Sequence, residues 1–194
     1  MKGAQYQNMP MYVIHEMESA IADCEAGRVG THWDEAVAFY SGSLILPPVS
    51  EGGVLQYGLA EKRCSEFNTC TADVANKALY TSAVNEKVYA LFKAGRDMQS
   101  GFQCSAMEST KESLVKQFTI PLVQGVMKYF YLAPYVDTEK GKAELWSFAA
   151  ALLPFVNHYS PSAATILKDN SFILNVKSVP AGFVSAKASL EAAY

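Results

Sequence analysis

The chain lacks a charge excess of either sign: 16 Lys and Arg stand against 19 Asp and Glu, a formal net charge of −3 over 194 residues. Without a basic field to gather phosphates, nucleic acid is a poor first partner. No apolar run reaches the eighteen or so residues of a membrane span. The longest, Leu145 to Val156, is interrupted by Ser147 and Pro154 and reads as a buried helix. Phosphate-cradling Gly-x-Gly-x-x-Gly and Walker loops are missing, as is a Gly-x-Ser-x-Gly elbow, which removes the commonest nucleotide and hydrolase signatures. No solenoid-length repeat occurs. Met1-Lys-Gly-Ala4 runs into Gln5-Tyr-Gln-Asn8 with no apolar segment of the signal-peptide kind. What the chain does have is apolar content, half of all residues, enough for one domain over 1–194 with a real core.

Helical periodicity dominates. Helices are expected from about Pro10 to Cys24, and from Thr31, as cap, to about Tyr40, with Asp34 as the acidic partner in a capping box. Ser41 to Gly53, with Pro47-Pro48 and Gly52-Gly53, reads as a loop. Further helices are expected over Thr71 to Gln99 (in two pieces near Ser82), Met107 to Leu132 with a bend at Pro121, and Thr138 to Tyr159. Two short helices, Ala163 to Lys168 and Ala181 to Ala193, close the chain around an extended link or isolated strand at Phe172 to Val179. The fold class is all-α, a multi-helix bundle.

Four cysteines, Cys24, Cys64, Cys70 and Cys104, allow three pairings. Cys64 and Cys70 bracket a polar stretch suited to a small disulfide-closed loop. Zinc-type Cys-x-x-Cys spacing is missing. Two disulfides imply a secreted or periplasmic setting; the alternative is four buried thiols in a cytosolic protein.

Only three histidines occur, and two of them, His15 and His32, are followed three residues later by a glutamate, Glu18 and Glu35. Glutamate fills just 13 of the 194 positions, so the double match is an uncommon coincidence. Residues i and i+3 share a helix face, and each pair can offer a nitrogen and carboxylate oxygens to one point. Carboxylate-bound iron in helix bundles uses inward pairs of this spacing in the reverse order. Glu25-Ala-Gly-Arg-Val-Gly30 supplies a turn that can bring the two helices side by side. A histidine at a helix N-terminus is expected to favour its neutral, ligating form. The bland reading is that Asp34 and Glu35 merely complement the helix dipole, while Glu16 and Glu18 form a solvated face. In the ligand role Glu18 competes with Glu16.

Hard oxygen donors suit ferric iron better than soft metals. Tyr12, one turn before His15, and Tyr40, about two turns after His32, are candidate phenolate ligands. Arg63 and Arg96 are candidate donors to an accessory anion.

At these residues the chain resembles a known family. Gln5-Tyr-Gln7 through Tyr12-Val-Ile-His-Glu16, His32-Trp-Asp-Glu-Ala-Val-Ala-Phe-Tyr40, Tyr57 to Cys64, Asn68-Thr-Cys70, Ala94-Gly-Arg-Asp97 and Ile120 to Tyr129 are similar to the low-iron-inducible periplasmic proteins of algae. These comprise green-algal iron-assimilatory proteins and diatom phytotransferrins. Gly30-Thr-His-Trp-Asp-Glu35 also fits the Gly-x-His-x-x-Glu string of bacterial imelysin-like proteins. The resemblance implies Fe(III) capture at the cell surface, with carbonate as co-bound anion and a cell-surface receptor or reductase as partner. It implies a periplasmic, cell-surface or secreted location, and a chain that is one domain or repeat of a longer secreted protein. Two other classes stand beside this reading. One is a metal-dependent enzyme such as a carbonic anhydrase-like hydratase, working through a metal-bound water. The other is a metal-free cell-surface module.

Overall fold

The computed structural model describes residues 2–42, 55–71, 82–132, 138–172 and 182–193. Among them eight helices follow one another: α1 (Lys2–Glu25), α2 (His32–Ser41), α3 (Gln56–Phe67), α4 (Ala83–Ser100), α5 (Cys104–Leu132), α6 (Glu139–Tyr159), α7 (Pro161–Ser171) and α8 (Gly182–Ala193). The only β feature among these residues is an isolated antiparallel bridge between Cys70 and Ser82. The chain is all-α with short C-terminal helices, as its periodicity predicts, and has a disulfide-closed loop where Cys64 and Cys70 bracket a polar stretch.

Several boundaries differ from expectation. α1 begins at Lys2 instead of near Pro10; the proline lies inside the helix with its ring buried, where it costs one backbone hydrogen bond. α3 has no counterpart in the sequence reading, although Tyr57, Ala60 and Cys64 carry a buried stripe at helical spacing. α5 starts at Cys104 and runs through Pro121 as one helix. Most of the expected loop to Gly53, the first piece of the helix expected from Thr71 and most of the link after Phe172 lie outside the described residues.

The chain divides into two compact units, residues 8–120 and residues 1–7 with 121–194. The unit boundary inside α5 falls at Pro121. In the second unit α6 packs on α7 and α7 on α8. Phe148 lies stacked between Tyr6 and Tyr129, with ring centroids at 5.0 and 5.8 Å. Gly125 makes room for it, because a Cβ there would come within 2.6 Å of the Phe148 ring.

The first unit holds the candidate site. Val13, Met17, Ala20 and Cys24 form the buried stripe of α1. Trp33 and Tyr40 anchor α2: the Trp33 indole donates to the Phe92 carbonyl at 2.8 Å, and the Tyr40 hydroxyl donates to Asn85 Oδ1 at 2.5 Å. Trp33 lies so close to α4 that a Cβ on Gly95 would meet its ring at 1.9 Å. Asn85 passes the network on, donating to the Tyr57 carbonyl and to Glu61 on α3. A buried polar network satisfied in this way fixes one arrangement of its helices.

All four cysteines are paired, Cys24 with Cys104 and Cys64 with Cys70. The first closes a separation of 80 residues, for which chain entropy predicts about 4.5 kcal/mol of stabilisation. The second clamps the end of α3, where Asn68 takes the left-handed conformation. Two closed disulfides indicate an oxidising, extracellular-type environment. No helix among the described residues is long and apolar enough to cross a membrane.

Candidate metal centre

α1 ends in a Schellman turn: Gly27 has φ +70°, its N–H reaches the Cys24 carbonyl, and the Arg28 N–H reaches the Asp23 carbonyl. Four residues after Arg28, α2 begins at His32. This short return lays the start of α2 against α1, so that side chains from both meet on one seam.

Glu16, His32 and Glu35 converge there. Each offers one ligand atom, and the three atoms lie within 4.8 Å of one another. His32 Nδ1 is 2.7 Å from Glu16 Oε2 and 3.8 Å from Glu35 Oε2. Donors bound to a shared ion at about 2.1 Å stand roughly 3 Å apart in adjacent positions and about 4 Å in opposite ones. The cluster is thus within a small contraction of a ligating set. Glu16 is buried, whereas the side chains of His32 and Glu35 are 40% and 47% exposed. An ion held on these three donors would face solvent with its remaining coordination positions.

The Glu35 carboxylate is held in place: Thr31 Oγ1 donates to its Oε1 at 2.7 Å, leaving Oε2 turned toward His32. This corrects the expected capping box with Asp34. Thr31 makes no side-chain cap bond and orients a candidate ligand instead.

The protonation of His32 also differs from expectation. The hydrogen bond to the Glu16 carboxylate, and the charges of Glu16, Glu35 and Asp23, hold its pKa above the ordinary 6.5. Three carboxylates facing the ring outweigh both burial and the helix N-terminus, which favour the neutral form. The 2.7 Å contact with Glu16 Oε2 engages Nδ1, the nitrogen that faces the cluster.

The other residues singled out in the sequence are distributed elsewhere. His15 is exposed. Glu18 pairs with Lys111 at 3.6 Å on a solvated face, beside the Lys111–Glu108 pair. Tyr12 is exposed and packs on Phe39 with ring centroids 5.4 Å apart, one turn along the same α1–α2 seam. Tyr40 is fully buried among Tyr89, Phe92 and Phe118. Burial first, then the neighbouring Tyr89, Glu61 and Tyr57, push its phenol well above the usual range. Arg63 is buried on α3 and pairs with Glu66; Arg96 is exposed, 3.5 Å from Asp97.

Two groups at the cluster escaped the sequence reading. Asp23 Oδ2 lies 3.9 Å from His32 Nε2, and Arg28 donates from Nη2 and Nε to Asp23 Oδ1 at 2.5 and 3.1 Å. The signal was available for Asp23, which follows Glu16 by seven residues and so shares its helix face two turns on. Arg28 had none, since its place depends on the turn. Gly30 is explained by the same geometry: a Cβ there would stand 2.4 Å from Asp23 Oδ2.

Neither a protein-family model, nor a curated protein, nor a solved structure matches this chain.

Proposed function

We propose that this chain is an extracellular or periplasmic ferric-iron-binding protein serving iron uptake, with the ion as cargo and carbonate as co-bound anion. The observation that carries the reading is the convergence of Glu16, His32 and Glu35, two hard oxygen donors and one imidazole within 4.8 Å. Hard donors favour a hard cation. The exposed side of the cluster leaves coordination positions for an anion and a route for capture and release. Two disulfides fit a protein that works outside the cytoplasm, and the resemblance of the His32 to Tyr40 block to algal iron-assimilatory proteins points the same way. The ligand set proposed is Glu16, His32 and Glu35, with Tyr12 as the phenol on the same seam.

The test is titration of the purified protein with Fe(III) supplied as a weak chelate, with and without bicarbonate, and with His32→Ala. Stoichiometric binding that bicarbonate strengthens and His32→Ala removes supports the reading. A tyrosinate-to-iron absorption band that Tyr12→Phe abolishes adds Tyr12 to the ligands. Absence of stoichiometric binding, or binding indifferent to His32→Ala, refutes it. Tighter binding of Zn(II) with turnover of carbon dioxide puts the hydratase reading in its place.

A further inference from the structure

His32 presents two different nitrogens to two different surroundings, and the surroundings decide their roles. Nδ1 faces Glu16 Oε2 at 2.7 Å and Glu35 Oε2 at 3.8 Å. Nε2 faces Asp23 Oδ2 at 3.9 Å. A ligating imidazole gives up one proton and keeps the other, and the group beside the retained N–H fixes which nitrogen meets the metal. We infer that His32 takes the cation on Nδ1 while Asp23 holds the proton on Nε2, making Asp23 a positioning residue of the site. The inference rests on the metal-binding reading of Glu16, His32 and Glu35.

Three features converge on Asp23. Its Oδ1 is occupied by two donors of Arg28, which leaves Oδ2 directed at the ring. Gly30 keeps that direction open, because a Cβ would meet Oδ2 at 2.4 Å and His32 Cδ2 at 3.7 Å. The turn that carries Arg28 and Gly30 is itself tied down, by the Arg28 N–H to the Asp23 carbonyl at 2.8 Å and by Gln99 Nε2 to the Gly30 carbonyl at 3.3 Å. Closing the Nε2 to Oδ2 gap to hydrogen-bond length takes a shift of about 1 Å, of the same order as the contraction that brings the three ligands onto one ion. A plain surface ion pair between Arg28 and Asp23 would need neither the glycine nor the aim of the second oxygen.

The experiment uses Ga(III), a diamagnetic trivalent hard cation, and proton–nitrogen correlation spectra of the histidine rings. With Ga(III) bound, the expected signature is a protonated Nε2 on His32 and a metal-shifted Nδ1. Asp23→Asn, with the fold retained by circular dichroism, is expected to weaken Ga(III) binding about 10- to 100-fold; Gly30→Ala should act in the same direction. A protonated Nδ1 with the metal on Nε2, or undiminished affinity in Asp23→Asn, overturns this inference and leaves the three-ligand site standing. Failure of the unmodified protein to bind Ga(III) and Fe(III) alike overturns the site itself.

Discussion

His15/Glu18 and His32/Glu35 have the same spacing, lie on consecutive helices and differ in what faces them. On α1, His15 and Glu18 point away from the buried stripe of Val13, Met17, Ala20 and Cys24; His15 is exposed, and the exposed Glu18 pairs with the largely covered Lys111. On α2, the second pair flanks the core face formed by Trp33, Ala36 and Tyr40 and meets the buried Glu16 from the neighbouring helix. An i, i+3 pair supplies two donors on one face. A third donor arrives only where that face packs against another element. The difference is one of helix phase: Glu16 belongs to the edge of the α1 core stripe, and its neighbours two positions on and one before do not.

The largest expected effect breaks this comparison outright. His32→Ala or Glu16→Gln should lower Fe(III) affinity by more than about 100-fold, some 2.7 kcal/mol, whereas His15→Ala should leave it unchanged within error; equilibrium competition against a chelator measures both. Gly95→Ala tests whether the packing behind α2 sets the site. Its methyl would meet Trp33 at 1.9 Å, and overpacking of this kind costs about 1–3 kcal/mol, read as a fall in thermal stability with weaker metal binding. Thr31→Val removes the hydrogen bond that orients Glu35 and should cost about 1 kcal/mol of binding, roughly a fivefold loss in the same competition assay.

The smallest effect is the pH dependence of the metal-free protein. Because the folded pKa of His32 lies above 6.5, its contact with Glu16 contributes stability that is full below the unfolded value and lost as pH rises through the folded one. Glu16→Gln should therefore destabilise the metal-free protein more at pH 5.5 than at pH 8, by thermal unfolding. Metal binding runs with the opposite sign. The cation displaces the Nδ1 proton, so affinity should climb with pH by up to about tenfold per unit until His32 is neutral.

The long helices and the turn between α1 and α2 were legible in the sequence, because periodicity and glycine placement are local signals. α3 was not: only its end, from Cys64, was assigned, to the disulfide-closed loop, although Tyr57, Ala60 and Cys64 kept helical spacing. Half of the site was legible as well. His32 and Glu35 came from their own spacing, and Glu16 entered only as a competitor of Glu18, since choosing between them requires the phase of α1 against its core. Asp23 carried a local signal, sharing the Glu16 face of α1 two turns on, whereas Arg28 depends on how the turn folds back, which no local pattern states. Tyr40 shows the reverse case: its spacing from His32 allowed a ligand, and its place among Tyr89, Phe92 and Phe118 makes it a core phenol bonded to Asn85.

The most direct test is anomalous diffraction at the iron edge from crystals of the protein loaded with Fe(III). The account predicts one strong peak on the α1–α2 seam, about 2 Å from Glu16 Oε2, Glu35 Oε2 and His32 Nδ1, with none at His15 and Glu18. A peak at the first pair, or elsewhere with the seam empty, would contradict it.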